Sequence, residues 1–221
     1  TLVLERDGVQ VKAAMADRGR LKGILTPGRT ILIEPRDGAK RKTAFQALAA
    51  RTADGTLVSL NTQLPNRLVA RALGARAVPG LPPFKSWRAE QKIGASRFDF
   101  VLTLEDDTRL VLEVKSVGRI DSDGVARFPD APTTRGARHV RELTHLSDEA
   151  GTRCALLFVI QGEDASHVEV DTDIDPDFHA ALRDAHAAGV TLLAHACTLD
   201  ERGLSWGPAR LIAGVGAQGA P

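Results

Sequence analysis

The alternation of apolar and polar positions changes period partway along the chain, and the change divides the reading in two. Residues 1–14 carry two alternating runs around Asp7-Gly8, a dipeptide that accepts the positive φ angles of a tight turn, and so predict a β-hairpin. Strand-length pieces recur at 21–25, 30–34, 45–51 and 56–60, parted by Pro27-Gly28, Asp37-Gly38 and Asp54-Gly55. About five short strands with polar turns predict a small OB-like β-barrel, a pattern that an SH3-like barrel shares. Pro65 opens a short helix to about residue 73, since its missing N–H does no harm in a first turn. Residues 74–83 then concentrate Pro79, Gly80, Pro82 and Pro83, which places a domain junction there and divides the chain into residues 1–80 and 81–221.

Beyond the junction, 98–104 and 110–117 read as strands joined by the acidic turn Glu105-Asp106-Asp107. Helical spacing follows over 135–149 through Val140, Leu143 and Leu146, then a buried strand at 154–160, a helix at 176–188 and another buried strand at 191–197. Antiparallel strands followed by helix, strand, helix and strand predict a mixed α/β domain. The Gly- and Ala-rich tail from residue 214 predicts a frayed end.

Composition narrows the classes. Of the 221 residues, 43% are apolar and 26% charged, which excludes a disordered chain and suffices for a packed core without disulfide or metal staples. The longest apolar run, 154–160, is far short of the roughly 20 residues that cross a bilayer. No membrane association is expected, and the opening Thr1-Leu2-Val3 carries none of the parts of a signal peptide. Cys154 and Cys197 lie in apolar segments and read as buried free thiols of a reducing compartment, so the expected location is cytoplasmic. Neither a Cys-x-x-Cys nor a close His pair provides the usual zinc spacing.

Charge changes the picture more. The chain is nearly neutral, with 29 Lys and Arg against 28 Asp and Glu, but its first 80 residues hold 14 basic and 6 acidic side chains. Such polarity fits either two halves docking by opposite charge or a basic half that meets a polyanion. Arg18, Arg20, Lys22, Arg29, Lys40, Arg41 and Lys42 are the expected phosphate-backbone contacts. Arg135, Arg138, His139 and Arg141 cluster at the start of a predicted helix, where N–H groups and the dipole favour a phosphate. With seven Phe, two Trp and no Tyr, stacking platforms are scarce, which favours electrostatic, weakly sequence-selective binding.

Strand alternation in Leu110-Val-Leu-Glu-Val-Lys-Ser-Val117 puts Val111, Glu113, Lys115 and Val117 on one face. On the preceding strand Phe98, Phe100, Leu102 and Leu104 form one face and Asp99 points to the other, so a hairpin can set Asp99 beside Glu113. Two carboxylates and a lysine among apolar side chains need pairing, hydration or a cation. Asp99 and Glu113 are candidate ligands for Mg²⁺ or Mn²⁺, Lys115 a candidate catalytic cation, and Glu90 a further ligand or base. The chemistry that follows is phosphodiester hydrolysis, and the bland alternative is an exposed, salt-bridged sheet face.

These pieces taken together are similar to a known family. Ser96-Arg-Phe-Asp-Phe100, Leu112-Glu-Val-Lys-Ser-Val117, Phe128-Pro-Asp-Ala131, Thr134-Arg-Gly136 and His139-Val-Arg-Glu-Leu143 resemble the sugar fermentation stimulation protein (SfsA) family. So do Thr26-Pro-Gly28, Arg41-Lys42, Leu60-Asn-Thr62 and Asn66-Arg-Leu68, in order, so the resemblance spans nearly the whole chain. It implies an N-terminal OB-fold domain and a C-terminal PD-(D/E)XK restriction-endonuclease-like domain, with DNA binding and a proposed role in regulating sugar metabolism. Carried over, the nuclease motif falls on Asp99, Glu113 and Lys115, with Glu90 upstream and Asp130 as a further candidate. The chain departs from the family at Ala14-Met-Ala-Asp-Arg-Gly19, where the family's His-x-Pro-Asn-Thr-Gly loop keeps only the glycine and a related Asp17. The expectation is a DNA-binding protein with a Mg²⁺-dependent nuclease site; the alternative is a non-catalytic DNA-binding regulator. A homo-oligomer is compatible with either, and a metabolite sensor rests on the family name alone.

Overall fold

The computed structural model describes residues 1–16, 25–38, 42–53, 55 and 57–215. It separates into two compact units, residues 1–64 with the short segment 199–204, and residues 65–198 with the chain from Ser205 onward.

In the first unit β1 (Leu2–Arg6) and β2 (Val9–Ala14) form the expected hairpin, with φ of 53° at Asp7 and 76° at Gly8. These positive values at both central residues match the right-handed twist of the flanking strands. With β3 (Ile31–Pro35), β4 (Phe45–Arg51) and β5 (Leu57–Ser59) they make a five-stranded sheet. β4 is its hub, parallel to β2 and antiparallel to β3 and β5. Ala13, Ala47, Ala50 and Leu60 form the buried core, closed over by Leu2, Leu4, Met15, Leu25, Ile31, Ile33 and Phe45. The expected strand at 21–25 falls almost wholly outside the described residues.

The second unit opens with α1 (Leu64–Gly74), followed by β6 (Phe84–Ile93), β7 (Ser96–Leu104) and β8 (Arg109–Val117), an antiparallel meander. Then come β9 (Arg119–Ile120), β10 (Val125–Phe128), α2 (Thr134–Ser147), β11 (Thr152–Ile160), β12 (His167–Val170), α3 (Pro176–Ala187) and β13 (Thr191–Ala196). The main sheet has the order β13-β11-β8-β7-β6, with β8, β11 and β13 parallel. β14 (Thr198–Asp200) and β15 (Gly203–Ser205) pair largely within the segment 199–204 that belongs to the first unit, and β16 (Leu211–Ala213) joins β12, β10 and β9 in a small second sheet. Ala137, Val140 and Leu143 of α2 and Phe178, Ala181 and Leu182 of α3 cluster with Val111, Leu156, Phe158 and Ile160 of the sheet. Cys154 and Cys197 are free and buried, and burial pushes their thiols up to about 12 and about 11. Among the described residues no helix is long and apolar enough to cross a membrane.

The division of the chain differs from the expected one. It falls at Leu64/Pro65, not at residue 80, and the Pro- and Gly-rich stretch belongs to the second unit. A Cβ built on Gly80 would lie 2.9 Å from Leu193 Cδ2 of β13, and Val78 is buried. Proline and glycine set turn geometry, which a tightly packed connection needs as much as a linker does.

One contact positions α2. Thr133 caps it by accepting from the Gly136 N–H at 3.0 Å. Asp175 caps α3 through Oδ1, which accepts from the Phe178 N–H at 2.9 Å, while its Oδ2 accepts from the Thr133 N–H at 2.6 Å. Asp175 is 5% exposed and thus joins the beginnings of two helices 42 residues apart. Asp175→Ala removes a cap and strands a backbone donor, so it should lower stability by about 2–3 kcal/mol in urea unfolding followed by circular dichroism. Asp175→Asn, which keeps one acceptor, should lose about half as much.

Candidate functional site

The antiparallel ladder between β7 and β8 runs from Thr103↔Arg109 to Phe100↔Leu112, and the next step of that register sets Asp99 opposite Glu113. At this end of the ladder the Asp99 side chain takes over from the backbone, its Oδ2 accepting the Val114 N–H at 2.8 Å. Its Oδ1 accepts from Asn66 Nδ2 of α1 at 2.7 Å. Glu113 is buried because β8 has a strand on either side and α2 above, and only 5% of it is exposed. Its Oε1 accepts from Lys115 Nζ at 2.7 Å and is 2.8 Å from His139 Nδ1. Its Oε2 is buried without a partner. A cavity of ≈ 270 Å³ is lined by Glu90, Asp99, Glu113, Lys115, Arg135 and His139, with Arg97, Val114, Phe128, Thr133 and Gly136 completing its wall.

The two carboxylates are driven apart electrostatically. Burial, and then the charge of Glu113, push Asp99 up to about 6 against the lowering pull of the Val114 N–H, Asn66 and Lys115. Burial also acts to raise Glu113, but the His139 hydrogen bond and the Lys115 ammonium outweigh it and hold Glu113 below the ordinary carboxylate range. An ionised carboxylate only accepts, so His139 carries its proton on Nδ1. The other nitrogen, Nε2, lies 3.4 Å from Arg135 Nε, which donates to it.

A bare buried oxygen beside an acid with a raised pKa is a donor set that suits a hard cation. Among the described residues no three His, Cys, Asp or Glu side chains gather as a ligand cage. Two carboxylates fit Mg²⁺ or Mn²⁺, which keep several waters, better than a cation that needs a full protein shell.

The structure therefore brings Asp99, Glu113 and Lys115 together. Glu90 reaches the cavity only at its rim: its side chain is 62% exposed, 3.8 Å from Arg97, on a residue of β6 with φ 52°. Arg135 is exposed in the first turn of α2 and lines the cavity, whereas Arg138 is exposed beside Glu142 at 3.8 Å and lies off its wall. Asp130 is exposed and also off the wall. His139, expected among the phosphate contacts at the start of α2, is instead 3% exposed and bonded to Glu113. Its spacing to Leu143 and Leu146 puts it on the apolar stripe, a signal that identifies it as inward-facing. Asn66, the Asp99 partner, was quoted only as part of a motif, and nothing local announces a contact 33 residues away. Lys42 is exposed, and Arg18, Arg20, Lys22, Lys40 and Arg41 lie outside the described residues, as do Asp17 and Gly19.

Comparison with known proteins agrees with this architecture. Residues 2–60 match the family model described as the SfsA N-terminal OB domain, and residues 63–203 match that of the sugar fermentation stimulation protein RE domain. A sugar fermentation stimulation protein homolog from Chloroflexus aurantiacus is 46% identical over 200 residues, covering 90% of this chain and 76% of the relative. The homolog from Moorella thermoacetica is 43% identical over 205 residues, covering 90% and 85%. In three dimensions the chain is similar to Pyrococcus furiosus SfsA, solved in complex with Ca²⁺, with a TM-score of 0.80 at 23% identity over 92% of this chain and 86% of that one.

The raised pKa of Asp99 has a thermodynamic consequence. The unfolded carboxyl ionises near 3.8 and the folded one at about 6, so the folded state holds the proton more tightly and stability falls as pH rises through that window. The full difference is worth about 3 kcal/mol at pH 7. Asp99→Asn, with the Asn66 amide turned to present its oxygen, should raise stability by about 2 kcal/mol at pH 7.5 and by almost nothing at pH 4. Urea midpoints at the two pH values measure this; equal gains at both would exclude the electrostatic origin.

Proposed function

Because the chain belongs to the sugar fermentation stimulation protein family, we propose that its C-terminal domain is a divalent-cation-dependent phosphodiesterase of PD-(D/E)XK type acting on DNA. The observation that carries this reading is the bare, buried Glu113 Oε2 next to an Asp99 held near pH 6. The Ca²⁺ complex of the Pyrococcus furiosus relative supports it, because Ca²⁺ is a hard cation with the same preference for oxygen. Asp99 and Glu113 would hold Mg²⁺ or Mn²⁺, which when bound supplies Lewis acidity and neutralises phosphate charge.

The chain's own residues divide the remaining work. Asn66 and the Val114 N–H orient Asp99. Lys115, its side chain 11% exposed, offers an ammonium at the cavity wall to charge developing on phosphoryl oxygens. Arg135 can leave its long 3.4 Å contact with His139 to grip a non-bridging phosphate oxygen in a forked geometry. The excess of basic over acidic side chains in the first 80 residues supplies sequence-independent attraction for the backbone.

One observation favours a second reading. Lys115 gives Glu113 a built-in counter-ion at 2.7 Å, so the site is partly neutralised by the protein itself. A non-catalytic DNA-binding regulator of sugar metabolism genes needs no more than that.

Incubation of the protein with single-stranded DNA, duplex DNA and RNA, in Mn²⁺ or in EDTA, separates the two. Cutting is expected only with Mn²⁺, and Lys115→Ala should slow it by about 100-fold or more. Retained DNA binding without metal-dependent cutting would leave the regulator. In either case affinity should fall steeply with salt, and Arg41→Glu with Lys42→Glu should weaken all sequences alike in a fluorescence-anisotropy titration.

A further inference from the structure

We propose that His139 is a positioning residue that fixes the Glu113 carboxylate so that a single oxygen, Oε2, is presented as a cation ligand. The role rests on the cation-dependent reading given above.

Two donors from different elements meet on Glu113 Oε1, Lys115 at 2.7 Å and His139 at 2.8 Å, and Oε2 receives none. The donors differ in what they can fix. An ammonium on a four-carbon stem follows a carboxylate as it turns, and Lys115 stands on the same strand as Glu113, two residues along. The imidazole cannot follow. It is 3% exposed, its ring lies 5.8 Å from that of Phe98, and it stands on α2, whose beginning is fastened by Thr133 and Asp175. Its tautomer is set by Glu113, an ionised acceptor to which Nδ1–H donates at 2.8 Å. Fixing Oε1 against a rigid ring fixes the plane of the carboxylate, and with it the lone pairs of Oε2. A carboxylate so held is prepared as a one-oxygen ligand before any cation arrives. Outer partners of this kind typically alter metal affinity by about 10–100-fold when removed.

The chemistry of the donor gives the test. In His139→Asn the side-chain nitrogen occupies the topological place of Nδ1 and can donate to Oε1. In His139→Gln the amide lies one bond further out, in the place of Nε2, and misses it. Mn²⁺ binding to the full chain is measured by calorimetry at one fixed pH for wild type, His139→Asn, His139→Gln and His139→Leu, with urea midpoints alongside. The expected result is Mn²⁺ affinity within about threefold of wild type for Asn, and about tenfold or more weaker for Gln and Leu. Asn and Gln are both neutral amides, so their comparison stands even if Leu fails to fold. Wild-type affinity in Gln, or a loss in Asn as large as in Gln, would overturn the proposal. Absence of Mn²⁺ binding by the wild-type protein would instead overturn the cation site itself, and the positioning role with it.

Discussion

Everything in the site follows from one constraint, the burial of the Glu113 carboxylate in the interior strand of a five-stranded sheet. Leu110 through Val114 are all buried, so β8 has no solvent face on which to place a charge. An ion in that position costs several kcal/mol unless it is paired and hydrogen-bonded. Lys115 and His139 offset that cost from one side, and both do so at a single oxygen. The other oxygen, left bare, is the expense that only a further partner can relieve. A fold selected for stability alone would have an apolar residue here, because replacing a buried ion pair by packed hydrophobic side chains is often neutral or stabilising. A carboxylate at this position is what the proposed cation-dependent function requires.

The surrounding elements serve that constraint in different ways. α1 contributes Asn66 to Asp99, and α2 contributes His139 to Glu113. α2 is in turn anchored through Asp175, whose two oxygens bind backbone donors at the start of both α2 and α3. Gly136 lets this anchor close, since a Cβ there would come within 2.6 Å of Thr133 Oγ1. The charges around the small second sheet are part-buried and paired with one another. Arg119 and Arg127, around the small second sheet, are satisfied by Asp121, Asp123 and Asp171 at 2.7–2.8 Å and leave no bare atom comparable to Glu113 Oε2.

What could be read from the sequence was whatever burial writes into a local period. β7 alternates and α2 and α3 repeat with their buried faces, β8, β11 and β13 stand out as apolar runs, and the pairing of Asp99 with Glu113 follows from counting along β7 and β8. β6 carries no such record. It is an edge strand in which Lys85, Arg88, Glu90 and Lys92 are exposed, so neither face shows an unbroken apolar pattern. β9, β10, β12 and β16 are two to four residues long, too short to establish a period. The junction was misplaced because turn-forming residues report backbone geometry and not the absence of packing. Asn66 escaped for a different reason: its function is a contact set by tertiary structure, and a polar residue in the first turn of a helix looks the same with or without it. His139 stands between these cases, since its place on the stripe of α2 is legible but its neighbours Arg135, Arg138 and Arg141 group it with the phosphate contacts.

The two acids also show why a hairpin is a useful frame for this chemistry. Facing carboxylates repel, and the fold lets one of them yield. Glu113, which accepts from His139 and from the Lys115 ammonium, stays ionised, and its charge helps burial to raise Asp99. The pair thus consists of a fixed anion and an adjustable one, the kind of separation that assigns different roles to chemically similar groups. With Asp99 near 6 and Glu113 below the ordinary carboxylate range, the proposed cation would displace at most a loosely held proton from Asp99 and none from Glu113 near neutral pH. Had Asp99 also accepted from an ammonium, the second charge would have been stabilised by the protein itself, and the proposed cation would have had less to neutralise. Each acid accepts two hydrogen bonds, but Glu113 takes both of its own, one from an ammonium, on a single oxygen, and that asymmetry is what the proposed cation site would use.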